Sequence, residues 1–591
     1  MPKLKNIFKK ILIWRYKYIS ERQFVYILSV LIGFLAGLGT LVLKNLTFFF
    51  QEVLEGKFIK DFHHSLYFIF PIIGLVLVYY IKKHFIKKGI GHGISTTLHA
   101  ISKENGIIEK YKMYASLITA PITVGFGGSV GLQGPAVSTG AALGSTVAQL
   151  FHMSTKTRML LIGCATAGAM SSMFKAPVAA IIFAVEIFSL DLAFVSLVPL
   201  LLASVSAVIT SYFFLGKDVL FGFKLQDSFE INDLFFYVLL GLGTGIASVY
   251  FSKIYFRITG FFDKFNNQFK KLIIGGVAIG IMLYLIPPLY GEGYGLINKL
   301  LNGNAIAALE DIPYDIDFTN VWMVILFLLL ITFFKAIAMT ITFSAGGVGG
   351  IFIPTLVMGS ALGNVFSKII NQFGFHVSET NFTLIGMTGL MAGVLHAPLT
   401  AIFLIAEITG GYDLFVPLML VSAISFAFTK YFISNSIYTL ELAKRGELIT
   451  HNKDKNVLMM MRIDTLIETN FITIQPEMSL GAMLKNAVSK SNRNIFPVID
   501  SNKHFIGTVL LDDIRSIMFD EEMYEKVTVE TLMKRAPELI FYNDSVEAIM
   551  QKFKESGAWN LPVVRKGTYV GFISKSKLLN TYRNKLIEVT S

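Results

Sequence analysis

The residues with chemistry to offer lie in two glycine-rich segments, GSVGLQGPAVSTGAALG (Gly128 to Gly144) and GVGGIFIPTLVMGSALG (Gly347 to Gly363). At a shift of 219 positions Gly131 falls on Gly350, Pro135 on Pro354, Gly140 on Gly359 and Ala142-Leu143-Gly144 on Ala361-Leu362-Gly363. Pro suits the first turn of a helix, and Gly lets backbone amides come close to a ligand. Each block therefore predicts a helix start that turns unpaired amides and a positive dipole end toward a ligand, and the ligand such an end favours is an anion. The competing reading is that these glycines only let helices pack closely. A second pair of blocks, FKAPVAAIIFAVEI (Phe174 to Ile187) and LHAPLTAIFLIAEI (Leu395 to Ile408), repeats at a shift of 221. Two blocks in the same order point to a duplicated half, and an inverted duplication brings two helix N-termini together near the middle of a membrane.

Two cations stand in apolar surroundings, Lys175 before Ala176-Pro177 and Lys335 in LLLITFFKAIAMT. An intramembrane cation is a functional candidate, here an electrostatic funnel for anions. Snorkelling to an interface is the alternative, and Lys335 lies deeper in its run than Lys175. Glu186 and its repeat partner Glu407 are expected to be structural, accepting backbone hydrogen bonds at corresponding places. A lone Cys164 in an apolar run excludes a disulfide scaffold and a thiolate metal cluster. An intramembrane enzyme needs a nucleophile and base or paired metal ligands, and neither set is expected in the apolar body; no metal site is expected.

The elements that must position these residues are membrane helices. Of the 591 residues 53% are hydrophobic and only 16% charged, with a mean hydropathy of +0.60, whereas soluble proteins carry about 25% charge. Asp, Glu, Lys and Arg make up about a quarter of residues 447–591 but about an eighth of residues 1–446, so a membrane body precedes a soluble tail. The uncharged run from Phe24 to Leu43 is long enough to span. Ser65 to Ile81 is shorter, Leu192 to Gly216 is long, and Ala336 to Ser367 is uncharged but interrupted by glycines and Pro354. Irregular backbone at membrane depth must be buried in protein or line a watery cavity, which points to transport rather than anchoring. The formal charge of +12 is densest at the N-terminus, in Lys3, Lys5, Lys9, Lys10, Arg15, Lys17 and Arg22. That is the signature of a cytoplasmic, retained leader and not of nucleic-acid binding.

These motifs resemble the CLC family of chloride channels and proton-coupled chloride exchangers, along the whole chain. GHGIS (Gly91 to Ser95) stands where the family has GSGIP, GLQGP (Gly131 to Pro135) where it has GREGP, GGIFIP (Gly349 to Pro354) matches GGIFAP, and Tyr438 in SIYTLELAKRG falls at the pore tyrosine. The resemblance implies a homodimer in membrane lipid with one pore per subunit. Each subunit would be an all-α polytopic inverted repeat of tilted and broken helices. It also implies a central anion on the amides of Ile351, Phe352 and Ile353 and the Tyr438 hydroxyl, and an outer site near Leu132, Gln133 and Gly134.

Three departures from the family bear on its chemistry. Gln133 replaces the gating glutamate, and an amide neither competes with the anion as a charge nor carries a proton. The alternative for Gln133 is a packing residue on a helix shoulder. Glu186 fills a general glutamate position, and Ile187 replaces the inner glutamate that hands on protons in the exchangers. His92 occupies the pore serine position. Its ring either donates to the anion and makes occupancy pH-sensitive, or turns away into a helix contact.

After HNKDKN (His451 to Asn456) the tail resembles a tandem pair of CBS domains. IFPVID (Ile495 to Asp500) with FIGTVLLDDI (Phe505 to Ile514) is echoed by NLPVVR (Asn560 to Arg565) with YVGFISKSKL (Tyr569 to Leu578). Alternating apolar residues beside Pro and Gly predict short strands, each followed by an amphipathic helix, an α/β module. Such pairs bind adenine nucleotides through a Ser or Thr and an Asp three residues later. Here the first copy keeps Asp513 with Leu510 at the hydroxyl position, and the second keeps Ser574 with Lys577 at the acidic one. The alternative is a structural dimerisation module.

The expected organisation is a basic N-terminus (1–22), a pore domain (23–446) with repeats at about 23–216 and 233–446, a linker (447–464) and two CBS domains (465–526 and 527–591). The expected function is passive chloride conduction, with a proton-coupled anion antiporter of the same fold as the alternative. The expected setting is a plasma membrane, bacterial and inner, with N-terminus and tail in the cytoplasm.

Overall fold

The computed structural model describes residues 15, 17–54, 63–91, 93–188, 194–216, 221, 227, 229–309, 312, 316–444, 458 and 461–590. His92 and residues 447–457 of the linker lie outside them. The chain divides into two compact units, residues 1–448 and 449–591.

The first unit is helical and polytopic. Its first half runs through α1 (Glu21–Leu54), α2 (His63–Ile81), α3 (Gly93–Lys103), α4 (Lys112–Gly125), α5 (Gln133–Leu150), α6 (Thr155–Phe174), α7 (Pro177–Phe188) and α8 (Phe194–Leu215). Its second half runs through α9 (Leu234–Asp263), α10 (Gln268–Leu285), α11 (Tyr294–Leu301), α12 (Val321–Ser344), α13 (Phe352–Gln372), α14 (Glu379–Leu395), α15 (Pro398–Thr409) and α16 (Phe415–Phe432). Among the described residues eight helices are long and apolar enough to cross a membrane. The uncharged run Ala336 to Ser367 is two helices, α12 and α13, broken where Gly346, Gly347, Gly349 and Gly350 crowd together.

The two halves meet through reciprocal contacts, as an inverted duplication requires. The Val348 amide donates to Thr123 Oγ1 at 3.1 Å and the Ser129 amide donates to Thr342 Oγ1 at 3.3 Å. Thr123 and Thr342 are themselves 219 positions apart. Helices α6 and α14 open on matching caps, Ser154 and Ser378, and close on left-handed residues, Lys175 (φ 56°) and His396 (φ 55°), before Ala-Pro. A left-handed residue ends a helix by turning the chain away from it. The glutamates then cross over. Glu186 accepts from the Leu399 and Thr400 amides at 3.1 and 2.8 Å and from the Thr400 hydroxyl at 2.6 Å. Glu407 accepts from the Val178 and Ala179 amides at 3.0 and 2.8 Å. Each carboxylate caps the helix of the opposite repeat, satisfying amides that have no partner within the helix. Glu186→Gln is expected to cost about 1–3 kcal/mol, because the new NH2 faces a donor. Glu407→Gln, with fewer donors on it, should cost less. Thermal unfolding of the detergent-solubilised chain checks the order.

The glycines divide by position. Gly140 and Gly144 let α5 lie against α6, a Cβ at Gly140 falling 2.8 Å from Ala165 O. Gly359 and Gly363 do the same for α13 against α14, toward Gly386 and Phe382. Close helix packing therefore accounts for the C-terminal glycines of each block, and those before the helices have other neighbours.

The second unit is the α/β module. Strands β1 (Ile495–Ile499) and β2 (Phe505–Leu510) pair antiparallel, and β3 (Ile540–Phe541), β4 (Asn560–Arg565) and β5 (Thr568–Ser574) form a second sheet in that order. Ile474 bridges Val498 in parallel as Ile540 pairs Val563, so the two copies share a plan. Each has its own core, around Leu480, Phe496 and Val509 in one and Ile549, Leu561 and Ile573 in the other.

Candidate functional site

The segments before α5 and α13 run antiparallel and touch backbone to backbone. The Gly131 amide donates to Gly350 O at 2.9 Å. A Cβ on Gly350 would lie 2.6 Å from the Gly134 nitrogen, and one on Gly134 would lie 2.8 Å from Gly349 O. Gly93, at φ 25° and the first residue of α3, brings a third N-terminus in, with its missing Cβ 2.6 Å from Gly134 O. Only hydrogen fits at these contacts, so three helix starts converge with their first amides free of intrahelical acceptors.

A small cavity lies at this convergence. Gly134, Gly350, Ile351, Ile94 and Ser95 line it with Tyr438. The Tyr438 ring is buried and, among the described residues, its hydroxyl has no hydrogen-bond partner. Phe352 and Ile353 begin α13 at full burial, the Phe352 ring held 5.1 Å from that of Phe174. Tyr255, Phe343 and Gly349 belong to this cavity and also to a larger one of about 730 Å³, into which Lys82, Lys83, Lys87, Lys88 and Lys271 project. Asp263 lines it too and pairs Lys271 at 3.7 Å, and Lys88 pairs Glu109, so the net positive charge of this wall rests on Lys82, Lys83 and Lys87, and a concave basic wall concentrates anions at its floor.

At the start of α5, Leu132 is the N-cap residue and Gln133 the first of the helix. Gln133 is fully buried; its Nε2 donates to Tyr294 Oη at 3.0 Å, and its Oε1 has no hydrogen-bond partner among the described residues. The Leu132 amide donates to Glu292 Oε1 at 2.9 Å. Ile187 is buried on α7, beside Glu186. Lys335 is wholly buried on α12 and donates from Nζ to Leu289 O at 3.2 Å and Gly291 O at 3.0 Å. Lys175 sits at the end of α6 and donates to Gly216 O at 2.8 Å, so its position matches the backbone role of His396 in the other repeat. The geometry thus brings Leu132, Gln133, Gly134, Ile351, Phe352, Ile353 and Tyr438 to one region and leaves Ile187 and Lys175 on other elements.

Sequence reasoning missed Glu292, Tyr294 and Lys44. An acidic residue between glycines in PPLYGEGYG, amid apolar sequence, was a visible signal for the first. Lys44 closes the first apolar run, and its Nζ donates to Met173 O at 2.7 Å. Gly127 to Gly131 also has the letters of a G-x-S-x-G nucleophile motif. That motif requires a strand before its turn and a base beside its serine. Ser129 instead follows the helix α4, is fully buried, and donates to Leu289 O at 2.6 Å.

In the tail Asp513 Oδ1 is held by Lys534 Nζ at 2.6 Å. Ser574 Oγ donates to Glu468 Oε2 at 2.6 Å and caps the following helix at Lys577. Burial works against ionisation of Glu468, but the Ser574 hydroxyl and Arg493 outweigh it and hold the carboxyl below its usual range. Among the described residues no cluster of three or more His, Cys, Asp or Glu is arranged to hold a metal.

Residues 73–430 match the family model described as voltage gated chloride channel, and residues 463–520 and 529–584 each match the CBS domain. The chain is 26% identical over 436 residues to the H(+)/Cl(-) exchange transporter ClcA of Salmonella paratyphi B, covering 71% of this chain and 88% of that one. Its fold is similar to that of a slow cyanobacterial Cl-/H+ antiporter, with a TM-score of 0.59 at 19% identity over 72% of this chain and 98% of the other. It is also similar to that of a eukaryotic CLC transporter, with a TM-score of 0.59 at 16% identity over 94% and 97% of the two chains.

Proposed function

This chain belongs to the voltage gated chloride channel family, with a tandem pair of CBS domains, and on that premise we propose that it is a passive chloride channel with one pore in each subunit of a homodimer. The observation that carries this reading is Gln133: a neutral amide, fully buried, stands at the start of α5, so residue 133 has no charge to gain or lose. Ile187 at the inner position offers no proton acceptor either. Coupled exchange needs groups whose binding of H+ and Cl− depends on each other, and neither position supplies one.

The anion would sit between the amides of Ile351, Phe352 and Ile353 and the Tyr438 hydroxyl. An outer site would use Leu132, Gln133 and Gly134, and His92 would tune selectivity. The lysine-lined cavity supports an inward-facing funnel, and Lys335 adds to the field more than Lys175, which serves a helix end. The tail is read as a cytoplasmic dimerisation module, because Asp513 and Ser574 are each engaged by protein partners; adenine nucleotide at that pair is the lesser reading. The membrane is read as a bacterial inner membrane.

Proton-coupled exchange is the second reading, favoured by the likeness to an H(+)/Cl(-) exchange transporter. The reversal potential of purified protein in bilayers separates them. With a fixed chloride gradient and an imposed pH gradient, the potential is expected to stay at the chloride Nernst value. A potential that moves with the pH gradient would establish exchange instead.

A further inference from the structure

The connection between α10 and α11 lies along residues 125–133. Tyr290 Oη donates to Gly125 O at 2.7 Å, Ser129 Oγ to Leu289 O at 2.6 Å, the Leu132 amide to Glu292 Oε1 at 2.9 Å and Gln133 Nε2 to Tyr294 Oη at 3.0 Å. The Leu132 bond differs from the others, because it sets a carboxylate on a backbone amide at the N-terminus of α5. An amide bonded to Glu292 is withheld from an incoming anion. Glu292 as a whole residue is only partly buried. Among the described residues Gln133 Oε1, at the same helix start, is buried without a hydrogen-bond partner and lies against Gly131. The charged and titratable groups that face Glu292 are Lys44 of α1, Lys335 of α12 and Tyr294 of α11. Both lysines bond backbone carbonyls, Lys44 that of Met173 and Lys335 those of Leu289 and Gly291, so neither is ion-paired with the carboxylate, and their charge favours an anion there once the carboxylate is neutralised or withdrawn.

We propose that Glu292 gates the anion pathway: ionised, its carboxylate holds the Leu132 amide in place of the transported anion, and protonated it yields that amide. The inference rests on the channel reading above. A neutral carboxyl is a weaker acceptor than a carboxylate and does not repel the anion, so acid opens the pathway. Ile187 gives the proton no inner carboxylate to move to, so protonation gates and does not drive exchange. Lys335 is a positioning residue, holding the backbone on the N-terminal side of Glu292 through Leu289 O and Gly291 O.

The test is chloride efflux from liposomes holding the purified full chain, at symmetric pH between about 4 and 8, the range over which carboxylates and imidazoles titrate. Wild-type flux is expected to rise as pH falls. Glu292→Gln is expected to run about tenfold faster than wild type at neutral pH, the factor lost with one charge-assisted hydrogen bond, and to lose the pH dependence. Glu292→Ala should behave alike and serves if the Gln variant does not fold. Lys335→Gln is expected to move the midpoint to higher pH, a shift that a purely structural role does not produce. Wild-type flux with a Glu292→Gln profile identical to it would overturn the gate and leave the channel standing. So would a slower variant with unchanged pH dependence, which makes Glu292 structural. Folded wild type and variants that pass no chloride at any pH would overturn the channel reading and the gate with it.

Discussion

Gly350→Ala is expected to cut chloride flux about a hundredfold or more in a protein that still folds, the penalty known for displacing a binding geometry by about 1 Å. The new methyl would lie 2.6 Å from the Gly134 nitrogen and 3.3 Å from Gly131 O. Both are backbone atoms, so no side chain can swing aside. The two loops must part, and the 2.9 Å bond from the Gly131 amide to Gly350 O goes with them. The strain, about 1–3 kcal/mol by the measure of overpacked cores, is small beside what a large helical unit buries. The loss falls on function, because the amides that start α5 and α13 lose their alignment. Gly260→Ala is the matched control: it lies within α9 with no atom near its missing Cβ, and its flux should equal that of wild type. Liposome efflux on size-exclusion-purified protein measures both, and wild-type flux from Gly350→Ala would detach the loop crossing from the pathway.

The loop crossing was legible in the sequence because it is written twice. A shift of 219 aligned the glycines and prolines of the two helix starts, and it also aligned Thr123 with Thr342, whose side chains turn out to receive each other's loops. The shift of 221 pairs Lys175 with His396. Two residues of different charge at one repeat position argue for a backbone demand, and the left-handed turn at both is that demand. A reading led by charge alone weighed Lys175 between the pore field and snorkelling to an interface, and did not offer this backbone role. Lys335 is different: it is wholly buried in protein, and its run gave no sign of its partners. Those are the carbonyls of Leu289 and Gly291, on a connection with no periodicity to read. Glu292 escaped for the same reason: its contact with Leu132 is 160 positions away in sequence, and nothing local specifies it. Repetition and periodicity report elements, whereas a single side chain arriving from a non-repeated loop is visible only once the chain is folded.

Gln133→Glu is the complementary test, because it puts a carboxylate at the start of α5 beside one that is already there. At neutral pH the variant is expected to pass chloride about 10 to 100 times more slowly than wild type, since one further carboxylate competes with the anion for the same amides. The fully buried side chain exchanges its donor for an acceptor, and the Tyr294 hydroxyl, which now accepts at 3.0 Å, must turn to donate. Two carboxylates sharing the Leu132 and Gln133 positions of one helix start cannot both ionise cheaply, so one of them holds its proton to higher pH. Flux should therefore recover on acidification in two steps. Combining Gln133→Glu with Glu292→Gln leaves a single carboxylate, and the recovery should collapse to one step. The difference between double and single variants measures the coupling of the two positions directly. If Gln133→Glu leaves rate and pH profile unchanged, residue 133 does not face the anion and the neutral-gate reading falls. If it slows flux but the second substitution changes nothing further, the carboxylate at 292 plays no part in gating, and the Leu132 contact only fastens the loop to the helix.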